Sequence, residues 1–177
     1  MRWLIASVLW LCLAAPSWAG EAVSGRVLKV LPLFQDLKGR TSQTPSLFDR
    51  DAYQAVLRLK PALRSGLEFA VQWKAKGPAG TPLTLRLEAR GGPTGKPPTQ
   101  VVFEQPEKPR GGWFGTWASF KIGGPEYRNF GELTAWRATL WAGPRLLGEQ
   151  KSFLWEGGLR LPAPSDTPAA GGPPGAK

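Results

Sequence analysis

Few residue types in this chain could do chemistry. It has no histidine and a single cysteine, Cys12. The usual general base, a second thiol and the commonest transition-metal ligands are therefore missing. Neither a Ser–His–Asp triad nor a Cys–His pair can be assembled. Carboxylates remain. Glu104, Glu126 and Glu132 fall near expected loops, where an acid pair could in principle cleave a glycosidic bond, but no spacing selects them. Asp49-x-Asp51 is too short for a calcium loop and reads as helix-start electrostatics. The glycine-rich stretches at 91–95, 111–115 and 123–124 contain no GxxxxGK[ST] phosphate loop. The sequence thus predicts no catalytic residue, no metal site and no cofactor.

Tryptophan carries the one positive signal. Of nine tryptophans, Trp73 and Trp136 share faces with aliphatic residues and are expected in the core. Trp117 and Trp141 alternate onto the opposite faces of their strands, beside Lys121 and Arg137, and Trp113 sits in a glycine-rich loop. If exposed together, Trp113, Trp117, Trp141, Lys121 and Arg137 form a candidate binding surface. An indole joins a flat apolar body to one hydrogen-bond donor, which suits stacking on sugar rings or receiving a partner protein.

These residues are set mostly on strands. Alternation by two places Leu67, Phe69, Val71, Trp73 and Ala75 on one face, and Leu83, Leu85, Leu87 and Ala89 on another. Further strands are expected at Val23–Leu33, Thr99–Gln105, Gly115–Ile122 and Leu133–Trp141. A last one, Leu146–Trp155, returns as a hairpin with a bulge near Gly148. The span 46–60 differs. Ser46 can cap a helix, and Phe48, Ala52, Ala55, Val56 and Leu59 recur as one apolar stripe. Asp49 and Asp51 open that helix, Arg58 and Lys60 close it, and Pro61 stops it, in the sense the helix dipole favours. It is expected to be the only helix of the folded part.

Residues 1–19 have the layout of a secretory signal peptide. Arg2 precedes an apolar run from Trp3 to Ala15, and Ser17 and Ala19 stand three and one before the expected cut. The run is shorter than the ~20 residues a membrane span needs. Export to a periplasm or the cell exterior is therefore expected, with no transmembrane segment in the mature chain. Residues 20–157 are expected to form a single domain. Residues 158–177 are rich in Pro, Ala and Gly and are expected to be a disordered tail. The formal net charge is +10. It is dispersed rather than clustered, which argues for solubility and against nucleic acid as a partner.

The stretch Leu133-x-x-Trp136-x-Ala138-x-Leu140, followed by a hairpin and a terminal strand, resembles the last two strands of immunoglobulin-like or fibronectin-III-like domains. Trp136 stands where a corner tyrosine often sits in those domains, and Trp73 resembles their core tryptophan. Both bridge cysteines are missing, and the helix at 46–60 is an addition. The resemblance implies a mainly β fold: an antiparallel immunoglobulin-like sandwich of about seven strands with one inserted helix. A small closed β-barrel is the alternative. The expected function is non-catalytic binding to a glycan or an envelope protein. A carboxylate-dependent envelope enzyme and a strand-pairing assembly module, offering Val23–Leu33 as a free edge, are the alternatives.

Overall fold

A computed structural model of the chain describes residues 22–93, 95, 97–109 and 115–156. The expected signal peptide, the expected tail and Trp113 lie outside the described residues. Seven strands form two antiparallel sheets, with no closed barrel among the described residues. The first sheet has the order β1 (Ser24–Asp36), β2 (Arg64–Lys76), β5 (Thr116–Gly123). The second has the order β4 (Thr99–Glu107), β3 (Leu83–Gly92), β6 (Glu132–Ala142), β7 (Arg145–Lys151). The barrel alternative is therefore set aside.

Between the sheets lies the core that the alternation predicts. Leu67, Phe69, Val71 and Trp73 of β2 face Leu83, Leu85, Leu87 and Ala89 of β3, joined by Ala118, Phe120 and Ile122 of β5 and by Ala138 and Leu140 of β6. Trp136 packs against this cluster from its margin. Complete burial of an indole such as Trp73 removes ~150–250 Å² from water, worth up to about 4–6 kcal/mol. That is comparable with one structural disulfide, at about 2–5 kcal/mol.

Three sequence expectations are corrected and one is met. β1 does not end at Leu33; it runs on to Asp36. Pro32 is tolerated because β1 is an edge strand, where a missing N–H can face away from the ladder. The last strand stops at Lys151, and Phe153–Trp155 form a 3-10 turn. The expected bulge is real: Leu140 pairs with Gly148 while Trp141 pairs with Leu146, so Leu147 is the extra residue. Finally, a second helix, α2 (Gly124–Phe130), occupies a stretch expected to be loop. Its proline lies in the first turn, where an amide donor is not needed. It closes at Gly131, whose φ of 76° favours glycine.

One margin of the sandwich is sealed by close backbone approach. A Cβ on Gly148 of β7 would lie 2.7 Å from Arg26 Cα on β1, so the edge strands of the two sheets touch there. Farther along β1, the inserted helix α1 (Leu47–Leu59) covers the edge.

Candidate functional site

The helix α1 forms where the sequence predicts it. Ser46 Oγ accepts the Asp49 N–H at 3.3 Å. The Asp49 carboxylate does not reach back to the cap amide; it accepts the Thr44 hydroxyl at 2.8 Å. The far end is held by Arg64. Its Nε donates to Leu57 O at 2.5 Å, its Nη2 donates to Arg58 O, and its Nη1 binds both oxygens of Glu132 at 2.7 and 2.8 Å. One guanidinium thus caps the helix and ties it to the start of β6.

The facing of α1 overturns the ordinary amphipathic expectation. Only Gln54 and Leu57 are buried. Gln54 behaves like a short piece of strand: its Oε1 accepts the Phe34 N–H at 2.8 Å, and its Nε2 donates to Phe34 O at 2.9 Å and to Thr41 O at 2.8 Å. Next to it, the Tyr53 hydroxyl donates to Asp36 Oδ2 at 2.8 Å. Burial alone would raise the pKa of Asp36. The Arg40 amide, the Tyr53 hydroxyl, the Arg40 guanidinium and the Lys38 amide more than offset this, and hold the carboxyl well below the usual range. The inward face of α1 is therefore largely polar and fully engaged.

The apolar stripe points the other way. Phe48 and Leu59 are each 82% exposed, Leu47 67% and Val56 41%, and Ala52 and Ala55 are exposed as well. Leu37 and Leu63, on the adjoining loop and 3-10 turn, add further exposed apolar surface. A surface helix normally turns such a stripe toward the core; here the stripe is turned to solvent.

The four described residues of the predicted tryptophan surface do not converge; Trp113 lies outside the described residues. Trp117, half exposed, pairs with Gln72 on the outer face of the first sheet. Lys121 lies on the same face with its ammonium 3.6 Å from Glu68. A shallow cleft of about 340 Å³ between Leu31, Leu33, Arg50 and Trp117 marks this surface. Trp141 and Arg137 belong to the second sheet and face outward on the opposite side of the sandwich. The Trp141 indole is partly buried and donates to Thr139 Oγ1 at 2.8 Å. Arg137 is committed to Glu88, with Nη2 at 2.6 Å from Oε2. The two sheets separate Trp117 and Lys121 from Trp141 and Arg137, so these four do not form one platform.

Arg137 has a further neighbour that the sequence reading did not single out. Trp155 folds back over the outer face of the second sheet. Its ring lies 3.9 Å from the Arg90 guanidinium carbon and 4.9 Å from that of Arg137, and its carbonyl accepts from Arg90 at 3.1 Å. Arg137 also pairs with Glu88, which is 4% exposed and bound by Arg86 as well.

The carboxylates considered for acid–base work lie apart. Glu104 is on β4, 3.3 Å from Arg86; Glu126 is on α2; Glu132 binds Arg64. A cleft of about 550 Å³ at one end of the sandwich is lined by Leu37, Pro61, Arg64, Tyr127, Arg128 and Glu132 among others. Burial raises the Tyr127 hydroxyl above its ordinary value, with Arg64 opposing. Among the described residues, Glu132 is the only acid in that lining. Among the described residues, no three acidic groups cluster so as to hold a metal ion, and no helix is long and apolar enough to cross a membrane.

Fold and surface together define a mainly β, two-sheet sandwich-like protein carrying an inverted amphipathic helix on one edge. Comparison with protein-family models, with curated proteins and with solved structures found no match.

Proposed function

We propose that this chain is an exported, non-catalytic immunoglobulin-like module of the cell envelope that acts by binding, with the outward face of α1 as its contact surface. The signal-peptide pattern of residues 1–19 supports export. The strand order β1-β2-β5 against β4-β3-β6-β7 supports the immunoglobulin-like or fibronectin-III-like reading. One observation carries the function. Of eleven exposed large apolar side chains among the described residues, six lie on or beside α1: Leu37, Leu47, Phe48, Val56, Leu59 and Leu63. Scattered apolar residues need no explanation, whereas a contiguous set marks a contact site. Each such side chain covered by a partner contributes about 1.5–3 kcal/mol.

The test is photocrosslinking in the native host, with p-benzoylphenylalanine in place of Phe48 and, as a control, in place of the exposed Gln100. Discrete envelope adducts from position 48 and none from position 100 are expected. Equal yields from the two positions, or no adducts, would refute α1 as the contact surface.

A second reading is glycan contact through Trp117. It is favoured by the half-exposed indole standing beside Gln72, Ser119 and Lys121. On a glycan array, binding abolished by Trp117→Ala and untouched by Trp141→Ala would support it; equal loss in both variants would refute it.

A further inference from the structure

We infer that the outward face of α1 pairs with the α1 of a second copy of this chain, antiparallel, about a twofold axis. This rests on the reading of that face as the contact surface and adds the identity of the partner. Four of the five positions in the stripe are palindromic, Val56 standing outside the symmetry. Phe48, Ala52, Ala55 and Leu59 are separated by four, three and four residues, so reversing the helix superposes bulky on bulky and small on small. Placed antiparallel, Phe48 meets Leu59 of the second copy, and Ala52 meets its Ala55. The two alanines at the centre let the helix axes approach to about 8 Å, the near end of helix–helix distances. Such a self-complementary patch is what a twofold interface requires.

The charges beside the stripe obey the same symmetry. At 100° per residue, Asp51 and Arg58 fall on one flank, about 20° apart, and Asp49 and Lys60 on the other, also about 20° apart. A twofold axis brings each flank against its own copy reversed end for end. Arg58 then stands within about 3 Å, along the axis, of the level of Asp51 in the second copy, and Lys60 equally near the level of its Asp49. Four opposite-charge pairs result, two on each side. A parallel arrangement would oppose acid to acid and base to base.

In the isolated chain these groups are only partly used. Asp51 binds Arg50 at 2.9 Å and Asp49 accepts from Thr44. Arg58 and Lys60 are exposed, with no ion pair among the described residues. A lipid surface fits less well, because Asp49 and Asp51 would be pressed against anionic headgroups beside Phe48. A helix ~20 Å long makes an interface at or below the small end of the specific range, about 1,200 Å². The dimer is therefore reversible, with an affinity in the micromolar range.

Sedimentation velocity on the mature chain from about 1 to 500 µM spans that range. The wild type moves from monomer to dimer across it. Phe48→Glu remains monomeric with an unchanged circular dichroism spectrum, since the side chain faces solvent. The double variants Asp49→Lys/Asp51→Lys and Arg58→Glu/Lys60→Glu each self-associate about tenfold or more weakly, and their equimolar mixture recovers a heterodimer. A mixture that stays monomeric, or a Phe48→Glu protein that still dimerises, overturns the pairing. A monomeric wild type that still gives crosslinked adducts to another envelope component from position 48 overturns the second copy and leaves the contact surface standing. A monomeric wild type without adducts overturns both.

Discussion

Truncating Gln54 should harm the fold far more than truncating Phe48. Gln54 is 2% exposed and makes three hydrogen bonds of 2.8–2.9 Å to the backbone of Phe34 and Thr41. Gln54→Ala removes all three, at about 1 kcal/mol net each, for a total of about 3 kcal/mol. In a chain of this size that lowers Tm by about 6–12 °C. Phe48 is 82% exposed, so Phe48→Ala should stay within about 0.5 kcal/mol of wild type. Alanine's higher helix propensity pulls toward a small gain. Had the stripe been packed on the sandwich, the same change would cost about 3–5 kcal/mol. Urea unfolding followed by far-ultraviolet circular dichroism, at low micromolar protein so that association adds nothing, measures both. A loss above about 2 kcal/mol for Phe48→Ala, or below about 1 kcal/mol for Gln54→Ala, would refute the inverted facing.

Asp36 supplies a pH dependence. Its folded-state pKa lies below the unfolded value, so its stabilisation is complete above about pH 5 and is lost as the pH falls through the unfolded value, about 3.9, toward the lower folded one. Asp36→Asn should cost on the order of 2–4 kcal/mol at pH 7, and the gap to wild type should narrow toward about pH 2.5. Urea titrations at the two pH values that show a constant gap would contradict this. Gly148→Ala should lose about 1–3 kcal/mol, because the new methyl meets backbone atoms of Gly25 and Arg26 that cannot rotate aside. Gly123→Ala, with nothing within 4 Å of the added carbon, serves as the neutral control in the same melts; equal losses in the two variants would remove the steric explanation.

The strands were legible because their chemistry is local. From Leu67 to Ala75 and from Leu83 to Ala89 every second side chain is dry, and alternation reports that directly. The existence of α1 was equally legible from Ser46, the stripe and Pro61. Its facing was not. What turns it is an amide at Gln54 satisfying a strand backbone twenty residues earlier, and no window of neighbours contains that bond. Arg58 and Lys60 serve as dipole partners in any helix, and only the exposed facing of α1 gives their symmetry with Asp49 and Asp51 a meaning. α2 was hidden by its brevity and by Gly, Pro and Asn, residues that also make loops. The outward phase of Trp117 and Trp141 could be read from alternation, but the sheet each joins depends on the pairings of β5 with β2 and of β6 with β3. The end of β7 is set by Ser152, whose hydroxyl accepts the Trp136 N–H at 2.9 Å and so replaces the next ladder bond with a side chain. That substitution releases the chain to swing Trp155 across the sheet.

The indole of Trp155 is held over Arg137 of β6 and over Arg90 of β3, a strand made some sixty residues earlier. A nascent polypeptide that has laid down all seven described strands still leaves the Arg90 guanidinium without the indole above it and without the Trp155 carbonyl. Completion of the outer surface is thereby deferred to the last turn, and a premature stop codon only a few positions upstream would release a product with all its strands but without its clasp.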